Sequence, residues 1–321
     1  MRNILLAVTA LATLVVSPLA ASAEPKLRGD ITVGLAFDLV NPWAAAYDAA
    51  FKKTAGELGI KIVVLDSQGD VPRQSNNLRD LVAQQVDAIV LLPNNKKAVI
   101  PAVREAHDAG IPIVLSNGRV DESGEKYVVA WTGPDHHLTG FRSGELLAEA
   151  LGGKGRVVIL TGTPGTESSI ERERGCRDAL AKHPGIEVID SQPTDWKREK
   201  AQTVTEALIS RFGDKIDGIC ANDDGISLGA LSAIDAAVAS GRIQADHIKI
   251  TSGAAFAEGY QTIKKGGSFY GSVLMPPEQD AALALTTAVR IIDGETVPKS
   301  QFYETPAFSR ANIDQTPIPN F

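Results

Sequence analysis

The sequence predicts an α/β protein of two doubly wound, Rossmann-like parallel-sheet lobes, and three observations carry that prediction. Short runs of β-branched and aliphatic residues alternate with longer helical segments. The runs are apolar throughout, as strands covered on both faces are. The alternation pauses at Gly133-Pro134-Asp135 and then starts again, giving two similar series. With 321 residues the chain exceeds one core of about 100 to 200 residues and fits two.

In order, residues 31–37 read as a strand, 43–58 as a helix, 61–66 as a strand and 73–84 as a helix. A strand at 88–92, a helix at 98–109 and a strand at 111–116 follow, joined by short Gly- or Pro-containing connections. A strand at 127–131 leads to Gly133-Pro134-Asp135 and to a helix ending near Leu151. The second series then runs strand 156–161, helix 169–182, strand 186–191, helix 199–211, strand 218–221, helix 228–240, strand 247–251 and helix 257–265. A strand at 271–277, a helix to Asp293 and a Pro-containing tail are too short for a third domain, and are expected to cross back between the halves.

Ahead of this core, Arg2 precedes an apolar run at 4–16, and Ala21-Ser22-Ala23 supplies the small residues a signal peptidase needs. Residues 1–23 are therefore expected to be a cleavable signal peptide, with the mature chain starting near Glu24 in the periplasm. The run is short for a membrane span, and no later segment reaches the roughly 20 apolar residues a span requires. No Cys stands at the cleavage site to carry a lipid anchor. A net charge of -7 argues against nucleic acid or anionic lipid as partner. The two cysteines, Cys176 in a helical segment and Cys220 at the end of a strand, read as buried thiols rather than a bridge.

Several short segments in fixed order carry a resemblance: Asn41-Pro42-Trp43, Leu65-Asp66-Ser67-Gln68, Gly110-Ile111-Pro112-Ile113-Val114, Gly165-Thr166 followed by Arg172, Asp195-Trp196, and Ala221-Asn222-Asp223. Over nearly its whole mature length the chain resembles the type I periplasmic sugar-binding proteins of ABC importers, of the ribose-binding type. The resemblance implies three crossovers, near 132–136, 274–278 and 303–307. They divide an N-terminal lobe (27–133 plus 276–304) from a C-terminal lobe (134–275 plus 305–321). It also implies one carbohydrate or polyol ligand, an ABC permease or a chemoreceptor as partner, a monomer, and no cofactor. The family's ligand contacts fall on Asn41, Trp43, Arg172, Trp196 and Asn222, with Asn117 and Met275 at two further site positions. Such residues suit a sugar: amides donate to and accept from hydroxyls, a guanidinium fork holds adjacent oxygens, and aromatic rings stack on C–H faces.

Departures from the family pattern shape the expected ligand. Asn117 stands where an Asp is common, Leu92 replaces an Asn before Pro93, Ser252-Gly253-Ala254-Ala255 replaces Phe-Asp-Gly, and Met275 replaces a Gln. The pocket is thus expected to keep its arginine and lose its carboxylates. Such a pocket points to a polyol, a modified or partly apolar sugar, or an acidic sugar paired with Arg172, and away from ribose. Plainer readings stand beside these. Asn41-Pro42 is also a good helix start and Asp223 a good cap, the tryptophans also fit a core, and Arg172 lies in a Glu171-Arg172-Glu173-Arg174 run of the kind found on solvated helix faces.

Other chemistry finds little footing. The loop at 162–166 lacks the Gly-Lys-Ser/Thr ending of a nucleotide-binding loop, and no Gly-x-Ser-x-Gly elbow occurs. His136 and His137 are adjacent, so their side chains diverge and make no metal pair. Transport receptor, ligand-presenting sensor, and enzyme or sugar-repressor-type regulator are the classes to separate. A repressor needs a basic helix-turn-helix where this chain carries its leader.

Overall fold

The structure is a computed structural model that describes residues 27–319 and 321. The expected signal peptide lies outside the described residues. The chain opens with β1 (Thr32–Phe37), α1 (Pro42–Leu58), β2 (Lys61–Asp66), α2 (Val71–Ala83), β3 (Ala88–Leu91), α3 (Ile100–Asp108), β4 (Ile113–Ser116) and β5 (Ala130–Pro134). It then passes to a second body through α4 (His136–Ala150), β6 (Lys154–Thr161), α5 (Glu167–Leu180), β7 (Gly185–Pro193), α6 (Arg198–Phe212), β8 (Gly218–Ala221), α7 (Asp224–Ala239), β9 (Lys249–Ser252), α8 (Ala257–Lys265) and β10 (Phe269–Val273). From there α9 (Pro277–Ile292) and β11 (Ser300–Tyr303) return to the first body, and β12 (Ala307–Ser309) joins the second.

Each body is a six-stranded sheet, ordered β11-β5-β4-β3-β1-β2 in one and β12-β10-β9-β8-β6-β7 in the other. All pairings in the first sheet are parallel. In the second, only β12 runs antiparallel, against β10. The fold is thus the two-lobed α/β architecture the sequence predicts. The chain changes sheet after β5, after β10 and after β11.

Strand parity decides which helices cover which face. Val33, Leu35 and Val90 pack with Tyr47, Phe51 and Leu285 of α1 and α9. Ile89, Leu91 and Leu115 point to the other face, against Leu78, Leu81 and Val103 of α2 and α3. In the second lobe Val158, Leu160 and Ile219 meet α6, α7 and α8. Val157, Ile159 and Cys220 meet α4 and α5.

That last cluster corrects the reading of the cysteines. Cys220 projects to the same face as Cys176 on the inner side of α5, and the two are joined as a disulfide. Three elements also have a boundary that differs from expectation by three residues or more, one of them β10, which ends at Val273 rather than at residue 277. Residues 122–127 form a 3-10 turn, so the strand starts at Ala130, which pairs with Val114. Helix α7 starts at Asp224 rather than four residues later, because Asp223 caps it by accepting from the Ile226 amide at 2.8 Å.

Candidate functional site

Both sheets present the carboxyl ends of their strands to a common cleft, where loops feed the helices and ligands of such folds bind. The cleft encloses about 410 Å³, within the range of small-molecule sites. The first lobe contributes Asp38, Asn41, Trp43, Gln68, Asn94 and Asn117. The second contributes Thr166, Glu167, Arg172, Trp196, Asp223 and Phe256, and Met275 enters from the second crossover.

Asn41 takes the capping role the sequence offers and also lines the cleft. Its Oδ1 accepts from the Ala44 amide at 2.9 Å as the cap of α1, and its Nδ2 donates to Asp223 of the opposite lobe at 3.4 Å. Trp43, packed on Tyr47, donates from Nε1 to the Met275 carbonyl at 2.9 Å, fixing its ring between cleft and crossover. Trp196 is held in the left-handed region, with φ 60°, and lies over Gly162, where a Cβ would come within 2.0 Å of the ring. The guanidinium of Arg172 stands 5.6 Å from its ring centre.

Arg172 does not lie on a solvated face; it is 3% exposed. Its Nε donates to His136 Nδ1 at 3.2 Å, Nη1 to the Asn222 carbonyl at 2.8 Å and Nη2 to Met275 Sδ at 2.9 Å. An arginine carries five N–H groups, so one on each terminal nitrogen is left for a ligand. Burial pushes its pKa down to about 10, with the Asp223 charge opposing the shift, so it stays cationic at neutral pH.

Three further sequence-predicted residues have side-chain groups committed to bonds within the protein. The Asn222 amide turns inward to the Ser169 carbonyl at 3.2 Å, and its neighbour Asp223 lines the cleft instead. Asn117 reaches the cleft wall, yet its Nδ2 is bound to Asp280 at 2.8 Å. Met275 meets Arg172 through its sulfur.

The expected loss of carboxylates does not hold, because Asp38, Glu167, Asp195 and Asp223 all stand on the wall. Burial raises Asp223 to about 6 and Glu167 to about 7, so Glu167 is half protonated near neutrality while Asp223 stays mostly ionised. Asp38, Gln68 and Asn94 were missed as site residues. The signal for Asp38 was its position directly after β1, at a strand's carboxyl end. Ala254 and Phe256 give the cleft an apolar patch where the family pattern has a polar residue.

The lobes are closed on each other. Besides the bond from Asn41 to Asp223, the Lys96 amide donates to the Gly165 carbonyl at 3.0 Å and the Arg119 amide to Glu167 at 3.1 Å.

Comparison with known proteins agrees with this geometry. A family model described as a periplasmic binding protein domain matches residues 35–296. The xylitol-binding protein of Mycolicibacterium smegmatis is 31% identical over 255 residues, covering 79% of this chain and 70% of its own length. The ribose import binding protein RbsB of Haemophilus influenzae is 31% identical over 290 residues, covering 90% and 94%. A solved ABC transporter solute binding protein from Mycobacterium smegmatis with bound glycerol superposes with a TM-score of 0.82 at 25% identity, over 89% of this chain and 96% of that one. With the family match running across both lobes and the cleft between them, the chain belongs to the type I periplasmic binding proteins, which are solute carriers rather than enzymes.

Proposed function

We propose that this protein is the periplasmic receptor of an ABC importer and captures a neutral polyol or small sugar between its lobes for delivery to the membrane permease. The observation that carries this reading is the mixed lining of one closed cleft. Arg172, with two N–H groups unspent, shares the wall with carboxylates and amides of both lobes and with aromatic rings. Hydroxyls both donate and accept, so a polyhydroxy ligand satisfies such a lining. A carboxylate ligand would gain Arg172 but meet Asp38 and the ionised fractions of Asp223 and Glu167, while Asp195 is paired with Lys200. The acidic-sugar alternative is therefore the weaker one. Relatives named for xylitol and ribose, and a neighbour holding glycerol, support the neutral class and favour transport over sensing.

In this reading Asn41, Trp43, Arg172, Trp196 and Asp223 touch the ligand, while Asn117, Asn222 and Met275 hold the residues that do. The lobes, divided at 133/134, 275/276 and 304/305, turn on the three crossovers. Ligand bonds to both lobes exist only in the closed form, so binding shifts the population toward it. Residues 1–23 would direct export and leave a monomeric mature chain.

Calorimetry with xylitol, ribitol, ribose and xylonate tests the proposal. A neutral member of this set binds, and xylonate binds no more tightly than xylitol. Arg172→Ala weakens binding about 100-fold, from two charge-assisted hydrogen bonds of roughly 1.5 kcal/mol each. Tighter binding of the acid than of its polyol would overturn the neutral assignment.

A further inference from the structure

A buried arginine in a binding cleft is usually oriented by a carboxylate. Here the three N–H groups that fix Arg172 go to an imidazole, a carbonyl and a thioether, none of them charged. The imidazole belongs to His136, the first residue of α4, immediately beyond the first crossover. Its Nε2 is hydrogen-bonded to the carbonyl of Asn117, at the end of β4 in the opposite lobe.

A carbonyl only accepts, so Nε2 must carry the proton; Arg172 only donates, so Nδ1 must carry none. The two partners thus fix one neutral tautomer. We infer that His136 is a positioning residue that orients Arg172 toward the cleft and ties it across the crossover to the first lobe.

The surroundings are built for this. Asn117 is held with φ 58°, its amide N–H bonded to the Thr132 carbonyl at 3.0 Å and its side chain to Asp280, so its carbonyl is fixed in direction. His136 is 2% exposed, which leaves little water to replace either partner. Burial, then the charges of Arg172 and Arg119, holds its pKa well below the usual value. Acids stand nearby: Asp135 is spent as the cap of α4, bonding the Leu138 amide at 2.9 Å, and Glu167 is bonded to the Arg119 amide. Glu171, Lys96 and Arg174 line the small pocket beside His136, while His137 turns away to Asp178 at 2.8 Å.

The affinity part of the inference rests on the proposed function; the tautomer and the bond to Arg172 do not. Nitrogen-15 NMR of histidine-labelled full-length protein, without added ligand, is therefore the first arm. The expected spectrum shows one histidine, absent in His136→Gln and His136→Asn, locked as the Nε2–H form and not titrating between pH 8 and pH 5.5. Titration of that residue near pH 6.5, or the opposite tautomer, would overturn the inference whatever the ligand proves to be.

The second arm uses the two variants as half-replacements. Asn keeps an acceptor near the Nδ1 position and loses the donor to Asn117; Gln keeps the donor and loses the acceptor. The Arg172 Nε–H resonance should shift in His136→Gln and stay in His136→Asn. With xylitol as probe, Gln should lose at least ten-fold in affinity and Asn less than three-fold. Equal effects of the two variants on the Nε–H resonance would reduce His136 to a packing residue and sink the positioning role. Failure of xylitol to bind the unmodified protein would count against the proposed ligand and leave both spectroscopic results decisive here.

Discussion

Two substitutions of the same kind should move stability in opposite directions. Gly140 lies on α4 where that helix crosses α5. A Cβ there would stand 2.0 Å from the Arg172 carbonyl oxygen and 2.6 Å from its Cα. The obstacle is helix backbone, so Gly140→Ala must push the helices apart by on the order of 1 Å, at an overpacking cost of about 3 kcal/mol. Alanine returns roughly 1 kcal/mol of helix propensity, leaving a net loss of about 2 kcal/mol. Gly56 lies on the exposed side of α1, and a Cβ there would meet nothing within 4 Å. Gly56→Ala therefore keeps only the favourable term, about 0.5 kcal/mol near a helix end. Thermal unfolding should show Gly140→Ala lowered by roughly 4 °C or more and Gly56→Ala raised by about 1 °C. Because α5 carries Arg172, ligand affinity should fall in the first variant and hold in the second. A Gly140→Ala protein melting at or above the unmodified one would refute the claim that glycine is required for this close crossing.

Stability should also respond to pH and to reduction. Burial raises Asp224, Asp280 and Glu167 to about 7 and Asp223 to about 6, above their values in an unfolded chain. The native protein then holds more protons than the unfolded one between about pH 4 and pH 7, so their stabilisation is complete below that window and is lost as pH rises through it. His136, lowered by burial, works the other way below about pH 6.5 but is one group against four. Melting temperature should therefore fall between pH 5.5 and pH 8, and a flat or rising curve would contradict the assignment. The disulfide closes a 44-residue separation, and Cys220→Ser should cost about 2–4 kcal/mol. Thiol titration in denaturant without reductant should find no free thiol; two reactive thiols would exclude the bridge.

The order of elements was legible because apolar runs and helical segments alternate with clear Gly and Pro breaks. Strand parity was not. A strand buried on both faces shows no polar alternation, so nothing in Gly218-Ile219-Cys220-Ala221 says that Cys220 turns toward α5 while its neighbours turn away. The same blindness exchanged Asn222 for Asp223, since one residue of register moves a side chain from cleft to core. Val128 and Val129 drew the fifth strand too early, because β propensity carries no knowledge of the 3-10 turn that ends at Tyr127. His136 enters the sequence reading only as half of a rejected metal pair, because its partners, Asn117 and Arg172, lie 19 and 36 residues away.

Closure itself sets a requirement on the ligand. The described bridges between lobes beside the cleft, from Asn41 to Asp223, Lys96 to Gly165 and Arg119 to Glu167, are hydrogen bonds, the last accompanied by an ion pair from Arg119 Nε to Glu167 Oε1 at 3.7 Å. Each contributes only about 0.5–1.5 kcal/mol net, while burying Asp223 and Glu167 opposes closure above their raised pKa values. Taking a two-lobed receptor from mostly open to mostly closed requires a differential of about 5.5 kcal/mol. About five or six bonds of roughly 1 kcal/mol, shared between lobes, supply that. A cleft of about 410 Å³ has room for a molecule bearing that many hydroxyls, and its donors and acceptors come from both sides. The two open N–H groups of Arg172 then matter less for their charge than for their direction, which His136, Asn222 and Met275 fix before the ligand arrives. The energetics of the hinge therefore favour a multiply hydroxylated solute, the same class that the proposed function draws from the chemistry of the wall.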